Sequence, residues 1–137
     1  MRRELPDATL WIFDEIHKYR QWRNYLKGLY DNRRSGQCHL LKWVHYRQDV
    51  EGLDLELRYF RDTDGREVDF VIVEKRRPIV LVECKWSDAD IDKSLRYLKA
   101  KFRGAEAWQI SAVGTKDYVS GEGIRVAPAI KLLSNLI

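Results

Sequence analysis

The sequence predicts an α/β domain built on a mixed sheet flanked by helices. Three observations carry that prediction. Apolar residues recur at helical spacing on both sides of a central block, the block itself shifts to an alternation of two or to short apolar runs, and Gly- or Asp-rich turns separate the pieces. A length of 137 residues suits one domain, and 45% hydrophobic residues, with five Trp, seven Tyr and four Phe, are enough to fill a core.

Residues 16–30 place Ile16, Tyr19, Trp22, Leu26 and Leu29 on one side of an amphipathic helix, opened by Asp14-Glu15. A second helix is expected over 37–48, with Leu40, Leu41 and Val44 inward and Gly52 beyond its end. From Leu53 the period becomes two, and Asp62-Thr63-Asp64-Gly65-Arg66 is a turn of short side chains that bond their own backbone, so 54–74 reads as a β-hairpin. Lys75-Arg76-Arg77-Pro78 makes a second turn, and 79–86 is a third strand, apolar enough to be central. A helix over 89–102 puts Ile91, Leu95, Leu98 and Phe102 on one face, with Asp88, Asp90 and Asp92 near its positive end. A strand over 107–113, a polar loop over 114–123, a short strand over 124–126 and a helix from Pro128 complete the chain.

The candidate chemistry lies in Asp69, Glu83 and Lys85. Side chains alternate across a strand, so Glu83 and Lys85 share a face, about 7 Å apart, while Cys84 points away. Charged groups on an apolar strand are costly unless they face a polar site or partner one another. If the hairpin-like neighbour pairs antiparallel, Asp69 converges on Glu83, with Glu67 on its own face. Two such carboxylates suit Mg²⁺ or Mn²⁺, which prefer oxygen ligands. The other reading of the same residues is a salt bridge inside the sheet.

Asp69, a gap of thirteen residues and Glu83-Cys84-Lys85 resemble the PD-(D/E)XK nuclease signature. The longer string, from Glu56 through Arg66-Glu67-Val68-Asp69-Phe70-Val71, Ser94-Leu95-Arg96-Tyr97 and Trp108-Gln109-Ile110 to Gly123-Ile124-Arg125-Val126, resembles the nuclease-like domain of unknown function at the C-terminus of many prokaryotic AAA-type ATPases. That resemblance covers residues 37–137 and implies a restriction-endonuclease-like fold hydrolysing DNA phosphodiesters. Asp69 and Glu83 would ligate the metal, Lys85 would position or activate water, and Glu67 or Gln109 would assist. Gln37 stands where active members of the superfamily often carry a helix carboxylate, so the alternative is an inactive DNA-binding or oligomerisation module of the same fold.

Residues 1–36 carry a different resemblance. Trp11-Ile12-Phe13-Asp14-Glu15, with Trp22 and Leu26-Lys27-Gly28-Leu29-Tyr30, is similar to the Walker B strand and following helix of those ATPases. No G-x-x-x-x-G-K-[ST] accompanies it, so ATP hydrolysis is not expected. The aromatic helix favours a homodimer.

The formal charge is +4, which permits a nucleic-acid partner without requiring one. Arg76 and Arg77 in a turn, and Arg96, Lys99, Lys101 and Arg103 on the helix after the Glu83 strand, are the candidate phosphate contacts. No zinc spacing is made by Cys38, His39, His45 and Cys84. No apolar run approaches the roughly 20 residues that cross a bilayer, and Met1-Arg2-Arg3-Glu4 opens no signal peptide, so a cytoplasmic protein without membrane partners is expected.

Overall fold

The computed structural model describes residues 2–4, 10–13 and 36–136. The expected helix over 16–30 lies outside them. The described residues form strands β1 (Arg2–Glu4), β2 (Leu10–Phe13), β3 (Leu55–Asp62), β4 (Glu67–Glu74), β5 (Arg77–Lys85), β6 (Glu106–Ser111), β7 (Tyr118–Val119) and β8 (Ile124–Pro128). Helices α1 (Gly36–Glu51), α2 (Lys93–Lys101) and α3 (Ala129–Asn135) accompany them. The strands make one mixed sheet in the order β1-β2-β3-β4-β5-β6-β8-β7, as the α/β reading expected. Strands β1 to β5 run antiparallel in sequence order; β5, β6 and β8 are parallel, and β7 closes antiparallel on β8. The apolar run Leu10–Phe13 therefore extends this sheet, pairing from Leu10–Asp62 to Phe13–Tyr59.

The sheet has a core on each face. On one, α2 packs Leu95 and Leu98 against Val71, Leu81, Ala107 and Val126. On the other, Leu40 and Val44 of α1 and Leu132 of α3 cover Phe70, Ile72, Val82, Cys84 and Ile110. Buried Cys84 thus belongs to the face opposite Glu83, and burial pushes its thiol well above the usual range.

Three of the differences from the sequence reading have a local cause. Helix α2 starts at Lys93, four residues later than expected, because Asp92 adopts an extended φ of −60° and ψ of 135° and caps it. Strand β5 starts at Arg77, with the turn confined to Lys75 and Arg76 at φ of 47° and 69°. Pro78 is tolerated there because the β4–β5 register shifts at Val73 and β6 begins pairing only at Val80. The 114–123 loop contains β7, which gives β8 an outer neighbour.

Candidate functional site

The ladder between β4 and β5 ends at the pair Phe70–Val82, and the next opposed residues are Asp69 and Glu83. There the carboxylates take the place of backbone acceptors. Asp69 Oδ2 accepts the Cys84 N–H at 2.9 Å, and Glu83 Oε2 accepts the Asp69 N–H at 3.4 Å. Lys85 Nζ donates to Glu83 Oε1 at 2.9 Å and to Asp92 Oδ2, also at 2.9 Å. The Glu83 side chain is 8% exposed, whereas those of Lys85 and Asp92 are 26% and 27% exposed, so Glu83 forms the floor and the Lys85–Asp92 pair the rim. The cluster sits at the C-terminal ends of the parallel strands β5 and β6, where open α/β sheets commonly bind ligands.

Burial sets the electrostatics. It pushes Asp69 up to about 6, against the Cys84 N–H and the Lys85 charge, with Glu67 adding an upward push. Burial, then the charge of Asp69, pushes Glu83 up to about 8 despite its bond to Lys85. Burial lowers the proton affinity of Lys85, but its bond to and the charge of Glu83, reinforced by Asp92, hold it above the ordinary value. Burial acts upward on Asp92 too, and is outweighed by its bonds to Lys85 and to the start of α2, so it stays below the usual range. Lys85 is therefore a cation at neutral pH, while burial makes both carboxyl groups hold their protons more tightly than ordinary carboxylates do.

Asp69 and Glu83 offer oxygen donors of the kind a hard divalent cation takes, and Glu83 is at the same time the ion-pair partner of Lys85. Among the described residues no group of three or more His, Cys, Asp or Glu converges on one metal position.

The other sequence candidates separate. Gln109 lies beside Glu83 in the β5–β6 register and is buried, but it serves the backbone of the α2 approach: Oε1 accepts the Asp92 N–H at 2.8 Å, and Nε2 donates to Ala89 O and Asp90 O. Glu67 faces Arg61 across β3–β4, with an ion pair of 3.2 Å, and acts on Asp69 through its charge. Arg76 and Arg77 sit at the opposite end of the sheet, since Arg77 opens β5 six residues, or about 20 Å, before Glu83. Lys99 closes the C-terminal end of α2, donating to Arg103 O at 2.8 Å and Ala105 O at 2.6 Å. Exposed Lys101 is in the same last turn, and Arg96, one turn from Asp92, pairs with Glu122 at 3.6 Å. Arg76, Arg77, Arg96, Lys99 and Lys101 thus form no single patch at the carboxylates. Gln37 falls in the first turn of α1, the helix that covers the other face of the sheet. Glu51 pairs with Arg47, and Glu56 with Arg58, at the sheet end away from Asp69.

Asp92 is the site residue that the sequence reading missed. Its signal was an Asp two residues before Ser94, the spacing of a helix cap. Asp88 was likewise read as a helix-end charge; instead its carboxylate accepts the N–H groups of Thr115 and Lys116 and clamps that loop beside the site.

Residues 38–132 match the family described as Domain of unknown function (DUF4143). The chain belongs to that family. No curated protein and no solved structure matches it. The DUF4143 match runs from α1 into α3 and contains Asp69, Glu83, Lys85, Asp92 and Gln109, while β1 and β2 precede it. Among the described residues of this DUF4143 chain, no helix is long and apolar enough to cross a membrane.

Proposed function

We propose that this DUF4143 chain is a divalent-metal-dependent nuclease of PD-(D/E)XK type that hydrolyses phosphodiester bonds in DNA. The observation that supports it best is the placement of two buried carboxylates, Asp69 and Glu83, face to face where their strands stop pairing, with a charged Lys85 on one of them. Asp69 and Glu83 would hold Mg²⁺ or Mn²⁺, which when bound supplies positive charge against the negative charge that builds on the phosphate in the transition state. Two of the three donors of Lys85 are engaged by Glu83 and Asp92. The third is assigned to the attacking water or a phosphate oxygen. Held by Glu83 and Asp92, Lys85 would position or activate the water and stabilise the charge on the phosphate. Water adds at phosphorus, the bond to the leaving oxygen breaks, and the products are a phosphomonoester and a hydroxyl. Glu67 tunes Asp69, and Arg96 is the best placed of the candidate phosphate contacts.

Linear, nicked, branched and single-stranded DNAs incubated with Mn²⁺ or Mg²⁺ test the proposal, beside Asp69→Ala and Lys85→Ala. Metal-dependent cutting lost in both variants is the expected result. Cutting that survives Asp69→Ala rejects this site.

A second reading, a non-catalytic DNA-binding or oligomerisation module of the same fold, is favoured by the two-carboxylate donor set and by the position of Gln37 on the far-face helix. It predicts DNA binding that neither needs metal nor changes in Asp69→Ala. Under either reading, the proposed origin is an AAA-type ATPase–nuclease polypeptide whose Walker B strand survives as β2. Homodimerisation is proposed with it, and light scattering that gives a monomer at micromolar concentration rejects that part.

A further inference from the structure

The ammonium of Lys85 is held from two layers of the fold. Glu83 reaches it from the sheet and Asp92 from the residue that begins α2, each at 2.9 Å. A flexible four-carbon stem at the rim of a site otherwise samples several rotamers. Anchored on both sides, its charge has one position.

Asp92 is in turn fixed by contacts independent of Lys85. Its Oδ1 accepts the Ser94 N–H at 2.8 Å, and its own N–H donates to Gln109 Oε1 at 2.8 Å. Gln109 Nε2 holds the same segment through Ala89 O at 3.2 Å and Asp90 O at 3.1 Å. Gln109 is 2% exposed and is the β6 register partner of Glu83. Neighbouring residues in one row of the sheet therefore place both anchors of the lysine: Glu83 directly, and Asp92 through the backbone over 89–92.

We infer that Asp92, pinned by Gln109, is a positioning residue that fixes Lys85 against Glu83. Its consequence for turnover rests on the nuclease reading; its consequence for Lys85 does not. The two oxygens of Asp92 do separable jobs. Asp92→Ser keeps an acceptor suited to capping α2 but has no carboxylate for the lysine.

The test uses the full chain without metal, under limiting reductive methylation with labelled formaldehyde. Modification of Lys85 is read by peptide mass spectrometry against exposed Lys101 as the internal reference. In the parent, Lys85 lags Lys101. In Asp92→Ser the ratio rises about tenfold, the effect of losing one charge-assisted bond, while the chain still melts in one cooperative transition. Gln109→Ala raises the same ratio in the same direction. Labelling of Lys85 at the parental rate in Asp92→Ser overturns the assignment, and parental labelling in Gln109→Ala overturns the pinning role. In a cutting assay, Asp92→Ser lowers kcat and leaves KM and the Mn²⁺ requirement in place. If labelling responds but the parent cuts no DNA, the positioning role stands and the nuclease reading falls.

Discussion

Asp69 and Glu83 each accept a backbone N–H from the other's strand, Asp69 from Cys84 and Glu83 from Asp69 itself. Beyond the last rung of their ladder, β4 and β5 are thus joined by groups that titrate.

Metal-free stability should fall as pH rises. The folded state holds Asp69 up at about 6 against an ordinary 3.8, and Glu83 at about 8 against 4.5. Between those limits the folded chain binds more protons than the unfolded chain, so each increment of pH favours unfolding. Calorimetry in a chelator should show the contribution of this pair to the melting temperature declining from about pH 4 to pH 8, the window those shifts define. On the proposed metal site, saturating Mg²⁺ should flatten the decline, because the cation would replace the proton. A chelated protein equally stable across this range would contradict the arrangement.

Glu83→Gln should stabilise the metal-free protein while removing metal binding. Gln keeps an acceptor for Lys85 and relieves a buried like-charge pair. At pH 8 in chelator the melting temperature should rise by roughly 2–6 °C, and Mg²⁺ should add nothing further. Thermal melts with and without the metal measure both halves.

Gly114→Ala should be destabilising by about 1–3 kcal/mol. A Cβ at that position meets the Ser111 side chain and the Asp88 carboxylate, the group that holds the backbone of Thr115 and Lys116. Gly104→Ala is the control, since a Cβ there meets nothing within 4 Å. Urea melts of the two variants should separate them clearly.

Replacing Lys75-Arg76 by Asn-Gly should stabilise the fold by about 1–2 kcal/mol. Both residues occupy the left-handed region, at φ of 47° and 69°, in a two-residue hairpin turn. Because the turn is at the sheet end away from Glu83, metal response should be unchanged in the same melts.

Much of this was legible in the residues. The period of two, the turn from Lys75 to Pro78 and the apolar β5 placed Asp69 opposite Glu83, because antiparallel pairing leaves little freedom once a hairpin is fixed. Ile91 misled the reading of α2. It is buried at a spacing that continues Leu95 and Leu98 backwards, yet it precedes the cap. The bonds that set the cap come from Gln109, 17 to 20 residues away, and no local pattern announces a partner at that distance. The remoteness of Arg76 and Arg77 from Glu83 was readable from strand length alone.

The buried carboxylate pair also bears on how such a chain drifts over generations. A substitution that neutralises Glu83 removes the proposed chemistry and, on the physics above, firms the fold. Selection for stability and selection for activity thus pull in opposite directions at the most central strand, while the two cores on either side are indifferent to the outcome. On the proposed reading, a lineage released from the need to cut would lose the site early and keep the scaffold, so the change of one side chain would end the chemistry and leave the architecture in place.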